Sequence, residues 1–473
     1  MERFIGREKE IEQLRQRYES PSPEFIVVYG RRRVGKTFLV RQTFDNDFDF
    51  YLTGLYQKNI RRQLENFTNA LSEYSGEDIE TPDNWFTAFR MLKQYLKSIK
   101  KNGKKIVFLD EVPWMETRKS DFVSALESFW NGWGSGESDL MLIVCGSATS
   151  WITKKIFSDK GGLFNRDTAR IYLEPFTLRE TEEFFTHRQI QLSRKDIAEC
   201  YMIMGGIPYY LDKFEKGMSL SQNIDNIFFK KRGKLWDEFS HLYASLFKNP
   251  ESHLKIVKAL HSKTSGLTRN EISDAAGIPA NGSLTKALNE LEDSGFIIAG
   301  KDWLKKKKDV IYRLSDFYTI FYLDFVKENY GDDENFWTNR IDSSRHRAWE
   351  GFTFELLCMS HISQIKAALG ISGVASRQCS WRGEDAEGKK AQIDLIIDRR
   401  DGIIDVCEAK FSSEAYSITK SYESDLLSKI NVFRTATRTS KAIHLVMLTT
   451  MGLAQNSHSG IVQNTLTLDD LFK

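Results

Sequence analysis

No stretch of this 473-residue chain approaches the ~18 consecutive apolar residues that cross a bilayer, and Met1-Glu2-Arg3-Phe4 lacks the apolar core of a signal peptide. No membrane partner is expected, and a cytoplasmic location is. The five cysteines, Cys145, Cys200, Cys358, Cys379 and Cys407, lie far apart and form no C-x-x-C pair. That spacing argues against a disulfide framework or a zinc ribbon and suits a reducing compartment. Charge of one sign is also scarce. With 67 basic and 65 acidic residues the net charge is +2, so any affinity for nucleic acid must come from local patches. What is present is an ordinary globular composition, 41% apolar and 28% charged. At this length it can fill the cores of about three domains.

Gly30-Arg31-Arg32-Arg33-Val34-Gly35-Lys36-Thr37 fits G-x-x-x-x-G-K-[ST] in the setting that the pattern requires. Phe25-Ile26-Val27-Val28-Tyr29 reads as a buried parallel strand before it, and Thr37-Phe38-Leu39-Val40-Arg41 opens a helix after it. The glycines allow backbone N–H groups to turn toward phosphates, and the helix N-terminus adds positive charge. Lys36 is expected at the β/γ-phosphates of ATP and Thr37 on Mg²⁺. A second strand, Lys105 to Leu109, runs into Asp110-Glu111. Asp110 is expected in the Mg²⁺ shell, and Glu111 as the residue that orients and deprotonates water. A third strand, Met141 to Cys145, ends in Gly146-Ser147-Ala148-Thr149. Ser147 reads either as a sensor of the γ-phosphate or as a strand-capping serine.

These segments resemble the archaeal-type ATPases, a P-loop family close to the STAND and AAA+ groups. The likeness begins at Phe4-Ile5-Gly6-Arg7-Glu8-Lys9-Glu10 and passes through Asp110-Glu111-Val112-Pro113-Trp114. It continues in Gly162-Leu163-Phe164-Asn165-Arg166 and Leu173-Glu174-Pro175-Phe176, and ends at Gly205-Gly206-Ile207-Pro208-Tyr209, which is similar to the family's lid motif. The resemblance gives Arg166 the role of stabilising charge on the γ-phosphate; a surface arginine after a loop is its other reading. The core is expected over 1–176 and a helical lid over 177–249.

Residues 250–315 spell three short helices and a two-stranded ribbon, the winged helix-turn-helix pattern. Thr268 caps the second helix with Glu271 in a capping box, Gly277 ends it, and Asn281 or Ser283 starts the third. Asn281, Thr285, Lys286 and Asn289 lie on the outward side of that helix, and Lys305 to Lys308 fill the ribbon loop. Such a set could contact the phosphates and base edges of DNA. A linker is expected over 316–344.

Residues 345–473 order as helix, three strands, helix, strand. If Arg400-Asp401-Gly402 is a hairpin loop with Gly402 left-handed, the fold-back centres on Asp401. Asp394 and Glu408 then oppose each other, with Lys410 on the face of Glu408. Opposed carboxylates on an apolar hairpin call for a cation, and Mg²⁺ suits their oxygens. Lys410 could orient or deprotonate water, or steady the phosphate. This D-x13-E-x-K spacing resembles the PD-(D/E)XK nucleases, which add a helical glutamate. Glu355 falls in the stripe of Phe352, Leu356, Met359 and Ile362, whereas Glu350 points elsewhere, so Glu355 is the choice. Ile393 stands where that superfamily commonly has proline.

The expected fold is multidomain α/β: a P-loop NTPase core with helical lid, a winged helix-turn-helix, and a restriction-endonuclease-like αβββαβ domain. The expected function is an ATP-hydrolysing switch acting on DNA with Mg-dependent cleavage. The competing reading is a non-enzymatic ATP-dependent DNA- or protein-binding regulator with a degenerate tail. DNA is the expected partner, and self-association stays open.

Overall fold

The computed structural model describes residues 5–158, 161–300, 303, 310–329, 333–341 and 343–473. These form two compact units, Met1–Pro175 with His241–Pro250, and Phe176–Ser240 with Glu251–Lys473.

In the first unit five parallel strands, β1 (Glu24–Tyr29), β2 (Phe50–Thr53), β3 (Lys105–Asp110), β4 (Leu140–Gly146) and β5 (Ala169–Tyr172), lie in the order β2-β3-β4-β1-β5. The central strands read as unbroken apolar runs because both their faces are covered; Ile26, Val27, Val28, Ile143 and Val144 are fully buried. Edge strands β2 and β5 are four residues long and alternate buried with less buried positions, which leaves them little apolar signature. One face carries the helices Ile60–Ser75, Trp85–Ser98 and Phe122–Gly132, packed through Phe67, Trp85, Phe89 and Phe122. Asn59 and Asn84 cap the first two by accepting N–H bonds from Arg62 and Thr87. Since all strands run one way, the loops after β1, β3 and β4 gather at a single sheet edge, where open α/β sheets bind ligands.

The second unit opens with the helices Leu178–His187 and Arg194–Met204, each started by a capping box, Thr177 with Glu180 and Ser193 with Asp196. A helical lid is expected over 177–249, and Phe176–Ser240 fall within this unit. The Leu178 N–H donates to His361 Nε2 at 3.0 Å, and the Tyr201 ring meets Phe317 and His361. A linker is expected over 316–344. Phe321, Phe325 and Trp337 from that stretch pack on Trp349, because so many rings bury more area together than in water.

A small antiparallel sheet of β6 (Leu267–Thr268), β7 (Ile297–Gly300) and β8 (Ile311–Leu314), ordered β6-β8-β7, packs with the helices Arg269–Ala276 and Gly282–Asp293, which follow the helix Pro250–His261 in the chain. The Thr268–Glu271 capping box is formed, Gly277 is left-handed at φ 63°, and Asn281 caps the third helix. Lys305 to Lys308 lie outside the described residues.

The chain ends in a five-stranded mixed sheet of β9 (Ser376–Glu384), β10 (Lys390–Arg399), β11 (Ile403–Lys410), β12 (Ala442–Thr449) and β13 (Asn464–Thr467), ordered β13-β12-β11-β10-β9. Strands β9 to β11 are antiparallel and β11 to β13 parallel. The helix expected before it breaks at His361 into Ser344–Ser360 and Ile362–Ala368, and Lys420–Thr437 follows β11. Strand β13 was not anticipated. The β10–β11 register runs from Leu395↔Cys407 to Asp398↔Ile404, centred on Asp401 with Gly402 at φ 88°, as the hairpin spacing requires.

Candidate functional site

Two glycines frame the turn after β1. Gly30 sits at φ +139°, and a Cβ there would lie 2.4 Å from the Leu173 carbonyl oxygen, so no side chain fits. Gly35, at φ 92°, is the N-cap of the helix Lys36–Thr43. Between them Arg31, Arg32, Arg33 and Val34 make the turn, with Arg33 left-handed at φ 72°. The buried Lys36 ammonium donates to the carbonyls of Gly30 and Arg31 at 3.0 and 2.7 Å, which holds it over the loop. Arg7 closes the far side, its guanidinium donating to the Glu174 carbonyl at 2.5 Å.

The Thr37 hydroxyl donates to Asp110 Oδ2 at 2.8 Å and joins the loop to the end of β3. Burial, then the neighbouring Glu111 charge, pushes the Asp110 carboxyl up from its ordinary value. Glu111 is left-handed at φ 48°, a strained placement for a residue with a Cβ. Its carboxylate accepts the Ser147 N–H at 3.1 Å and the Ser147 hydroxyl at 2.5 Å, spanning the ends of β3 and β4. Gly30, Lys36, Thr37, Asp110, Glu111 and Ser147 are thus brought together. Arg166 is exposed on the turn at 161–166, outside this hydrogen-bonded set.

The second unit holds an acidic pocket. Glu355, from the helix Ser344–Ser360, lines it with Asp394 of β10 and Glu408 of β11. The pocket has room for about one water-sized occupant. A register shift in β10 between Ile393 and Ile396 falls on Asp394, and such bulges re-aim side chains. Burial first, then the charges of Asp394 and Glu408, pushes Glu355 up to about 7, against the opposing pull of Lys410 and Arg313. Glu350 is elsewhere, 3.8 Å from His346 Nδ1.

Each of the two strand carboxylates is already engaged. Asp394 Oδ1 lies 3.0 Å from Arg313 Nη1 and accepts from Gln392 Nε2 at 2.8 Å. Glu408 is paired with the Lys429 ammonium and accepts the Tyr422 hydroxyl at 3.3 Å. Lys410 Nζ stands 4.8 Å from the centre of the Tyr422 ring. Arg313, Gln392, Tyr422 and Lys429 carried no signal as partners of this set in the sequence, because only tertiary packing brings most of them near. By donor type and size the pocket suits a hard divalent cation, and the raised Glu355 marks a field that a cation would relieve. Yet among the described residues no three His, Cys, Asp or Glu side chains are already grouped to hold a metal. Asp394 and Glu408 are turned onto protein cations instead. No helix among the described residues is long and apolar enough to cross a membrane.

A glycine-framed loop between strand and helix, at the carboxyl edge of a parallel sheet and tied to an acid on a second strand, defines a P-loop nucleoside triphosphatase. The family described as an ATPase domain predominantly from Archaea matches residues 4–214, so this part of the chain is similar to the archaeal-type ATPases. It is 25% identical over 368 residues to an uncharacterised protein of Methanocaldococcus jannaschii, spanning 76% of this chain and 78% of that one. An uncharacterised ATP-binding protein of the same organism is 40% identical over 43 residues, 9% of this chain and 73% of its own length. The Walker-type ATPase of Pyrococcus abyssi superposes with a TM-score of 0.45 at 14% identity, covering 67% of this chain and 95% of that structure.

Proposed function

We propose that this ATPase domain is the nucleotide switch of a protein that acts on DNA, and that the acidic pocket of its second unit cleaves the phosphodiester backbone. In the first unit Lys36 turns from the loop carbonyls to the β/γ-phosphates. Thr37 and Asp110, already 2.8 Å apart, would hold Mg²⁺, which supplies charge neutralisation on those phosphates when bound. Glu111 must release Ser147 before its carboxylate can orient the attacking water and take its proton. Ser147 then reports on the γ-phosphate. The helices and sheet over 250–315 read as a winged helix, with exposed Thr285, Lys286 and Asn289 offered to DNA.

The observation that carries the nuclease reading is that Glu355, Asp394 and Glu408 line one pocket, with Lys410 close enough to influence Glu355. The three carboxylates would hold a divalent cation, which supplies Lewis-acid polarisation of the phosphate when bound. Lys410 stays available for the water or the phosphate, since it stacks on a ring rather than on a carboxylate. The regulator reading draws on a different observation, the pairing of Asp394 with Arg313 and of Glu408 with Lys429. Labelled plasmid, linear duplex and single strands incubated with Mg²⁺ or Mn²⁺, with and without ATP, separate the two. Cleavage by the wild type that disappears in Asp394→Asn and Lys410→Ala, while ATP hydrolysis persists in both, is expected. Absence of cleavage on every substrate, with no divalent cation bound at the pocket, would hand the case to the regulator.

A further inference from the structure

Asp394 is held by a side chain from another sheet. Arg313 belongs to β8 of the small sheet, is only 8% exposed, and reaches Asp394 on β10 at 3.0 Å. The carboxylate remains 28% exposed, so the pair is withdrawn from water on the arginine side and open on the other. The ribbon that carries Arg313 is pinned at a second point. Trp303, between β7 and β8 in sequence, is buried in the core of the five-stranded sheet, 5.5 Å from the Phe433 ring, and its N–H donates to the Ser380 carbonyl at 3.0 Å. One ionic, one apolar and one backbone contact therefore fix the ribbon against the sheet that forms the acidic pocket.

The Arg313 guanidinium and the Gln392 amide both take Asp394 Oδ1, and the arginine charge beside the carboxylate repels a divalent cation from either oxygen. We propose that the β7–β8 ribbon is a built-in block on the pocket: Arg313 neutralises the Asp394 carboxylate that a divalent cation requires, and the cation enters when the ribbon is drawn away. This rests on reading the pocket as a divalent-cation site. Phosphate oxygens of a nucleic-acid backbone are the acceptors best matched to take over the guanidinium, since they are anionic and can accept two of its N–H bonds at once. Metal loading would thereby be tied to nucleic-acid engagement.

Manganese titrations of the full chain, by calorimetry and electron paramagnetic resonance at fixed pH and salt, test the block. The quantity read is the binding that Asp394→Asn abolishes. Arg313→Met is expected to tighten that component about tenfold, the scale of releasing one partly buried ion pair. Trp303→Ala should move it the same way, and Arg313→Lys, which keeps the charge, should stay near wild type. Component affinity that is unchanged or weaker in Arg313→Met overturns the block and leaves the pocket reading standing. If no variant shows manganese binding sensitive to Asp394→Asn, the pocket reading falls, and the block with it.

Discussion

Glu355→Gln removes the charge that the acidic pocket tolerates least and keeps the shape of the side chain. In the unfolded chain a glutamate ionises near its ordinary value of 4.5, whereas burial and two neighbouring carboxylates push Glu355 up to about 7. Across that window the folded state holds a proton that the unfolded state has lost. Stability is therefore fully present below the unfolded value and is lost as pH rises through about 7. The difference between those two values corresponds to about 3 kcal/mol. Native-state hydrogen exchange on peptides spanning β10 and β11 reads the local opening free energy. Between about pH 5 and about pH 8, wild type should lose about 3 kcal/mol more protection there than Glu355→Gln. Added Mn²⁺ should restore that loss in wild type at the higher pH and restore less in the variant. Parallel profiles for the two proteins would refute the claim that the pocket strains to hold three carboxylates.

Lys36→Ala should weaken ATP binding strongly by calorimetry, since it removes the point charge held over the loop, while Glu111→Gln should keep binding and slow phosphate release. His361 is held down to about 4, first by burial, and it accepts the Leu178 N–H. Its contribution is present above about 6.5 and lost as pH falls through about 4, on the order of 3 kcal/mol. His361→Gln, which can still accept that bond, should resist urea better than wild type near the acid end; an unchanged acid profile would count against the assignment. Replacing Lys305 to Lys308 by alanine should lower DNA affinity for all sequences alike and flatten its salt dependence, and equal salt slopes would mean that this loop does not touch phosphate.

The parts legible in the sequence are those where one short segment dictates its own geometry. The run Phe25 to Thr37 spells strand, turn and helix with glycines where the turn demands them, and the loop takes that form. The spacing about Asp401 fixed the hairpin register, because strand pairing around a short loop leaves little freedom. The helical repeat that separates Glu355 from Glu350 corresponds to one lining the pocket and the other facing His346. What could not be read is pairing between distant segments. Nothing near Asp394 announces Arg313, and nothing near Glu408 announces Lys429, since each partner is delivered by packing of separate elements. Burial of Phe321, Phe325 and Trp337 depends on Trp349, beyond the boundary expected for the linker.

The near-contact between Gly30 and Leu173 has a mechanical consequence. The phosphate-binding turn rests directly on the backbone of Leu173, with no side chain between to compress, and Arg7 clamps the next carbonyl, Glu174. Two residues later, between Pro175 and Phe176, the chain passes from the first unit into the second. A turn that shifts when nucleotide binds or leaves has a stiff backstop there, because close-packed backbone transmits displacement instead of absorbing it. The turn and the Leu173–Glu174 segment would thus move as one piece.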